Sequence, residues 1–231
     1  KNSGFAGLNM NSVDFAFGGF FSIGTLSYAW AKLYRKSFLD SNKIEFGDYR
    51  YAEDKIYNYF CYIAGARYAF IDKKIYVYRR NEQSVSNTYR KDGDKDWMRI
   101  AQDLQDKIDS LNYEKKQYSQ DEIENYESIV AWTIYFAAFF DGKMEYEYST
   151  GKIRAVINLL KRYASYDLTK KYLKNPLRYT KKIPALSYKI MLGGFAFLMK
   201  CNMYLLLSLG IKLLVDCHID ERLSDTGRKE D

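Results

Sequence analysis

One stretch decides the predicted fold class: Arg67-Tyr-Ala-Phe-Ile71-Asp-Lys-Lys-Ile75-Tyr-Val-Tyr-Arg79. It holds two short runs of aromatic and β-branched residues, each typical of a strand, joined by a tight polar connection. Just before it, from Asp54 onward, apolar residues recur at helical spacing, and Gly65 is placed to end that helix. A helix followed by two strands predicts an α/β fold that is rich in helix and has few strands.

After residue 91 the pattern becomes helical. Apolar residues from Trp97 to Leu111 form one stripe, and a capping box, Ser119-Gln-Asp-Glu122, begins a second helix that Asp141-Gly142 is expected to end. A third helix carries an apolar stripe from Ile153 to Leu160. The sequence therefore divides into residues 1–90, a helical region over 91–183, and an amphipathic helix with a polar tail over 184–231.

Composition excludes several classes of protein. A chain of 231 residues that is 47% hydrophobic can bury a core, so a disordered chain is excluded. Three scattered cysteines form no disulfide framework and no zinc spacing, which fits a reducing cytoplasm. The single histidine, His218, argues against histidine triads and histidine metal sites, and the pair Cys217-His218 has no third ligand nearby in sequence. Acid–base chemistry would therefore fall to carboxylates.

A strongly basic stretch lies between Lys161 and Lys189. It holds nine Lys or Arg residues, interleaved with tyrosines, against a single acid, Asp167. Such a stretch suits a nucleic-acid backbone, an anionic membrane surface or a solvated basic face. The apolar segment Leu186 to Val215 follows at once, which favours the membrane and argues against nucleic acid.

Lysines divide this apolar segment. Lys189, Lys200 and Lys212 leave uninterrupted runs of ten and eleven residues, whereas about 20 are needed to span a bilayer. The segment predicts a helix that lies in the membrane interface, with a helix buried in protein as the alternative. We therefore expect a cytoplasmic protein that is peripheral on the inner face of the cell membrane.

Several motifs stand in a fixed order between residues 25 and 90. They are Trp30-Ala-Lys-Leu-Tyr-Arg-Lys-Ser-Phe-Leu39, Phe46, Tyr51-Ala-Glu-Asp54, Phe70-Ile-Asp72, Tyr76-Val-Tyr-Arg-Arg80 and Ser84-Val-Ser86. In order and spacing they resemble the second half of the bacterial family 2 glycosyltransferases of the GT-A fold, which build capsules, exopolysaccharides and lipopolysaccharide. The resemblance implies transfer of a sugar, with inversion, from a nucleotide-sugar donor to a glycan or lipid-linked acceptor.

Glu53 and Asp54 are the candidate catalytic pair. Sugar transfer needs a carboxylate to take the acceptor hydroxyl's proton, and a helix N-terminus stabilises that carboxylate as an anion. The resemblance assigns the general base to Asp54 and leaves Glu53 to orient it or to contact the acceptor. The alternative is an acidic pair that only complements the helix dipole.

Two further groups of residues are candidate binding sites. Trp30 and Lys32 would flank the acceptor sugar, unless Lys32 is a solvated lysine lying over an aromatic ring. Arg79, Arg80 and Ser84 would hold the departing diphosphate, with the loop Asn81–Ser86 as a lid, unless the arginines mark a solvated strand end.

The resemblance also implies a divalent cation, Mg²⁺ or Mn²⁺. The family's first strands, its nucleotide-binding loop and its metal-binding Asp-x-Asp are expected upstream of Lys1, so no metal ligand is assigned within the chain. The chain alone is therefore expected to be inactive. The competing hypothesis is a non-catalytic helical module that binds an anionic membrane or nucleic acid through its basic C-terminal region.

Overall fold

A computed structural model describes residues 9–22, 24–71, 73, 75–77, 89, 91–113 and 118–217. The chain forms two compact units. Unit 1 comprises Lys1–Thr88 and Gln102–Val130, and unit 2 comprises Tyr89–Ala101 and Ala131–Asp231. Each unit thus combines two separate segments of the chain.

The described residues form helices. The first of them are α1 (Val13–Phe17), a π-helical turn (Gly18–Ser22), a 3-10 turn (Thr25–Ser27), α2 (Lys36–Asn42) and α3 (Glu53–Ile63). Two long helices, each contributing to both units, are α4 (Gly93–Tyr113) and α5 (Gln120–Tyr148). The rest, all in unit 2, are α6 (Lys152–Ser165), α7 (Asp167–Leu173), α8 (Pro176–Thr180), α9 (Leu186–Lys200) and α10 (Tyr204–Asp216).

The predicted α/β fold is wrong: over its described residues the chain is all-α and contains no strand, so it is not an α/β GT-A domain. Residues 67–71 form no strand, and they pack against a helix instead of pairing with a second strand. The rings of Tyr68 and Phe70 pack against Phe15 of α1 at 5.3 and 6.3 Å, and the Tyr68 N–H donates to the sulfur of Met10. Alternation of side chains makes a strand only where a second backbone supplies the ladder.

The second predicted strand also forms no ladder where it is described. Residues 75–77 carry no strand, and Ile75 and Val77 are exposed. Arg79, at the end of this predicted strand, lies outside the described residues. Without a buried face, the aromatic and β-branched composition of this run cannot offset the cost of ordering a strand.

The predicted end of α3 is confirmed in detail. Gly65 has a φ of 82°, its N–H donates to the Tyr62 carbonyl at 2.9 Å, and the Ala66 N–H donates to the Cys61 carbonyl at 3.0 Å. This is a Schellman motif with glycine at the left-handed position. The helix therefore ends where the sequence places the residue that tolerates the required backbone angle.

The predicted start of α5 is confirmed, but its predicted end is wrong. The Ser119 N–H donates to Glu122 at 2.9 Å and the Glu122 N–H donates to the Ser119 hydroxyl at 3.2 Å, which completes the capping box. The helix continues through Asp141-Gly142 to Tyr148. The absence of a side chain at Gly142 allows α10 to pack closely, because a Cβ there would lie 2.8 Å from Cδ1 of Ile211 on α10.

Aromatic side chains build the core of unit 1. The ring of Phe20, in the π-helical turn, lies 4.5 Å from that of Tyr59 and 5.6 Å from that of Tyr62. The Tyr62 ring meets Tyr126 of α5 edge to face at 5.8 Å. Because Tyr59 and Tyr62 lie on one face of α3, this packing fixes how α3 is held in the unit.

In the core of unit 2, two buried aromatic side chains donate hydrogen bonds to backbone carbonyls. The Trp132 indole N–H donates to the Tyr179 carbonyl at 3.2 Å, and the Tyr135 hydroxyl donates to the Tyr172 carbonyl at 3.0 Å. These bonds give partners to the indole N–H and the hydroxyl of two fully buried side chains.

The apolar segment from 186 to 215 forms two helices, α9 and α10, with a turn at Asn202, whose φ is 58°. Leu192, Phe195 and Met199 of α9 are buried. One face of α9 is therefore packed in protein, as the alternative to an interfacial helix predicted. Among the described residues, no helix is long and apolar enough to cross a membrane.

Candidate functional site

Glu53 and Asp54 occupy the first turn of α3, where the sequence places them. Glu53 is exposed and Asp54 is half-buried. The Asn58 side chain donates to the Asp54 carbonyl at 2.7 Å and accepts a hydrogen bond from the Tyr34 hydroxyl at 2.9 Å. The first turn, which is the positive end of the helix dipole, is therefore anchored.

Lys32 lies close enough to Asp54 to respond to its charge. The Lys32 ammonium donates to the Thr25 carbonyl at 2.7 Å and to the Tyr28 carbonyl. Burial lowers the pKa of Lys32 to about 8, and the negative charge of Asp54 acts against that shift. The 3-10 turn that holds Thr25 packs on α3, and this contact brings the two charged residues together from separate parts of the chain.

Trp30 lies between two tyrosines. Its ring is parallel to that of Tyr28 at 4.8 Å and to that of Tyr76 at 4.7 Å. Tyr28 and Tyr76 are 45% and 49% exposed, so these rings, more than the indole, offer aromatic surface to a ligand. The stack gives this part of unit 1 flat faces that favour the C–H edges of a bound molecule.

The sequence interpretation missed Lys55. Its ammonium lies 4.8 Å from the centre of the Phe21 ring and 5.9 Å from that of Tyr59, and burial lowers its pKa to about 8. The spacing of Lys55 and Tyr59, one helical turn, was the available signal. A second lysine with a lowered pKa therefore follows Asp54 directly in α3.

The remaining predicted site residues lie in a part of the chain that the structure does not describe. Arg79, Arg80, Ser84 and the loop Asn81–Ser86 lie outside the described residues, and so does His218. In the part of the chain that the structure describes, no group of three or more His, Cys, Asp or Glu residues could hold a metal ion. The divalent cation that the resemblance implies therefore has no ligand set among these residues.

Unit 2 carries a separate candidate surface, which we call the hairpin surface: the outward sides of α9, of the turn and of α10. Its exposed apolar members are Leu186, Ile190, Phe197, Met203, Leu205, Leu206, Leu209 and Leu213. Lys189, Lys200 and Lys212 lie among them in sequence. Many exposed apolar side chains close together in sequence on a folded unit suggest a site of interaction.

Comparison of the chain with protein-family models, with curated proteins and with solved structures finds no match. The glycosyltransferase resemblance therefore rests on the motifs between residues 25 and 90 alone.

Proposed function

We propose that the chain takes part in glycosyl transfer on a membrane surface, with unit 1 contributing the acceptor side of the site. The observation that supports this is the electrostatic interaction of Lys32 with Asp54, two residues that separate motifs assign to the same site. An exposed aromatic stack at Trp30 lies two residues from Lys32. The proposal concerns the activity and does not include a GT-A sheet.

Asp54 acts as the general base in this proposal. Its carboxylate takes the proton of the acceptor hydroxyl while the nucleoside diphosphate leaves from the opposite face of the sugar. Asp54 lies in the first turn of α3, and its charge acts on the Lys32 ammonium. Lys32 remains mostly protonated at pH 7 because its pKa lies at about 8.

Asp54→Asn tests the assignment in the protein at its natural length. Removal of a general base lowers turnover about 10²–10⁴-fold, and nucleotide-sugar affinity should hardly change because only proton abstraction is lost. Asp40→Asn, an exposed carboxylate paired with Lys36 on α2, is the matched control. Turnover above roughly a third of wild type in Asp54→Asn would contradict the role, because it lies far outside the range for a lost base.

We also propose that the protein attaches peripherally to the anionic inner face of the cell membrane. The nine basic residues between Lys161 and Lys189 and the adjoining hairpin surface support this, since each basic residue near an anionic surface contributes about 1 kcal/mol. Flotation with anionic and with uncharged vesicles, at low and high salt, tests it. Absence of attachment to anionic vesicles at low salt would refute the proposal.

The hairpin surface supports the rival function equally, namely a module that binds an anionic membrane without catalysis. The two functions differ in one outcome. A protein that floats with anionic vesicles but transfers no sugar from any nucleotide-sugar donor is the binding module. A protein that floats, transfers sugar and loses transfer in Asp54→Asn is the enzyme.

A further inference from the structure

We infer that the hairpin of α9 and α10 is the element that enters the bilayer: it lies flat in the interface of an anionic membrane, with the hairpin surface facing the acyl chains. The inference rests on the membrane attachment proposed above and identifies the part of the chain that makes it.

The outward side of α9 is an apolar stripe. Leu186, Ile190 and Phe197 are four and seven residues apart, so they lie along one face, and they are 68%, 66% and 47% exposed. Gly194 lies on the same face, and a Cβ there would meet nothing within 4 Å. This face of α9 is therefore open within the described structure, whereas the opposite face is buried.

The outward side of α10 repeats the arrangement. Leu205, Leu209 and Leu213 follow one another at intervals of four residues, and each is about half exposed. The inward side, with Leu207 and Ile211, is buried, and α10 packs on α6 and α9. Because the inward side already contributes to the core of unit 2, the outward leucines are not needed for packing within that unit.

Lysines border both apolar faces. Lys189 and Lys200 are eleven residues apart, which is three helical turns, so they lie on the same side of α9, next to its stripe. Lys212 borders the apolar face of α10 in the same way and pairs with Asp216. The described outer faces of both helices carry no other acidic residue.

This distribution of charge indicates what kind of partner binds the hairpin surface. Apolar side chains bordered by ammonium groups match a bilayer, in which anionic headgroups surround the acyl region. We therefore commit to an anionic lipid surface.

The lengths of α9 and α10 limit how deeply the hairpin can enter the bilayer. α9 and α10 have 15 and 13 residues, so each is about 20 Å long, whereas the hydrocarbon core is about 30 Å thick. An amphipathic helix in the interface buries its apolar face by about 5–10 Å. The hairpin therefore lies along the membrane plane and contacts a single leaflet.

Flotation of charged variants tests the inference. Leu209→Asp and Leu213→Asp should each lower partitioning into anionic vesicles about tenfold or more, because an outward leucine can no longer enter the acyl region. Leu33→Asp is the matched control, since Leu33 is 100% exposed but lies in unit 1. Unchanged folding of the variants by circular dichroism keeps the comparison valid, as the leucines point away from the core.

Depth can be measured at Cys201, an exposed cysteine that directly follows α9. In a Cys217→Ser background, with Cys61 buried, an environment-sensitive dye on Cys201 should shift to the blue on anionic vesicles. Lipids with a quencher near the headgroup should quench it more than lipids with a quencher at the acyl end. If the acyl-end quencher quenched the dye as strongly as the headgroup quencher, a hairpin lying flat in the interface would be contradicted.

Failure of the inference is distinct from failure of the attachment itself. A wild-type protein that never floats refutes both. A wild-type protein that floats, together with Leu209→Asp and Leu213→Asp variants that float equally well, refutes the hairpin alone. Loss of a dimer without loss of flotation in these variants would also overturn the inference, because it would assign the surface to a second copy.

Discussion

The hydroxyl of Tyr163 on α6 donates a hydrogen bond to the carboxylate of Asp141 on α5. The bond lies where the sequence predicts that α5 ends. Tyr163 is fully buried, and its pKa is raised by this burial and by the charge of Asp141. Asp141 thus serves a tertiary contact between two helices and does not serve as a stop signal, so α5 continues past it.

We expect Tyr163→Phe to lower the free energy of unfolding by about 1.5–3 kcal/mol, the range for hydrogen bonds to charged groups. The phenylalanine keeps the buried ring and removes only the donor to Asp141. Urea denaturation measures the change. Tyr148→Phe, at an exposed tyrosine late in α5, is the control and should change stability by less than about 0.5 kcal/mol. Equal stability of both variants would mean that the bond contributes nothing.

Local signals in the sequence predicted helix boundaries well where the stabilising groups are neighbours in sequence. Gly65 ends α3, and Ser119 with Glu122 begins α5, because the atoms that satisfy these helix ends lie within a few residues. Residues 67–71 were mistaken for a strand because a strand depends on a distant partner. Tyr68 and Phe70 pack against Phe15 instead, a contact that the composition of the run does not predict.

Gly65 and Gly194 both have space for a Cβ but differ in backbone conformation, so alanine at each position tests the effect of the backbone angle alone. A Cβ at Gly65 or at Gly194 would meet nothing within 4 Å, yet Gly65 has a φ of 82° and Gly194 lies inside α9. Gly65→Ala should therefore destabilise the protein by about 1 kcal/mol. Gly194→Ala should stabilise it by up to about 1 kcal/mol.

Thermal or urea unfolding of the two alanine variants checks this pair. Their effects should have opposite signs because the substitution is the same and only the backbone angle differs. A neutral or stabilising effect of Gly65→Ala would show that the end of α3 does not depend on the left-handed residue.

A network around a buried carboxylate offers a third test. Asp94 on α4 accepts two hydrogen bonds from Arg162 at 3.1 and 3.3 Å and one from the Tyr166 hydroxyl at 3.1 Å. Its side chain is 1% exposed, whereas that of Arg162 is 44% exposed. Removal of the arginine would leave the Asp94 carboxylate buried with fewer donors, which is costly.

Arg162→Met should therefore lower the free energy of unfolding by about 1.5–3 kcal/mol. Arg154→Met, at an exposed position on the same helix, should change it by less than about 0.5 kcal/mol. Urea denaturation at pH 7 compares the two variants. A loss in Arg154→Met as large as in Arg162→Met would point to a general charge effect in place of the Asp94 network.

The roles assigned to the candidate site residues stay predictions. Asp54 and Lys32 were assigned to one site from motifs, and the structure places them close enough to interact. The spacing of Lys55 and Tyr59 predicts only part of the Lys55 environment, because the nearer ring, Phe21, lies in the π-helical turn far from Lys55 in sequence. The stacking of Trp30 on Tyr76 likewise joins segments that sequence spacing alone could not bring together.

The electrostatic link between Lys32 and Asp54 yields a prediction with a definite sign. Burial lowers the pKa of Lys32 from its ordinary value of 10.5 to about 8, and the Asp54 charge raises it. Asp54→Asn removes the charge that favours the ammonium, so the pKa of Lys32 should fall below that of the wild type. Lys36, an exposed lysine paired with Asp40, should keep its pKa in both proteins.

Titration of ¹³C-dimethylated lysines by NMR measures these pKa values residue by residue, with Lys32→Arg to assign the signal. Because the folded pKa of about 8 lies below the ordinary 10.5, the unfolded chain binds more protons between these values. The contribution of Lys32 to the free energy of unfolding should therefore rise with pH across that window and stay constant below it. An unchanged or higher Lys32 pKa in Asp54→Asn would separate the two residues and remove the observation on which the proposed site rests.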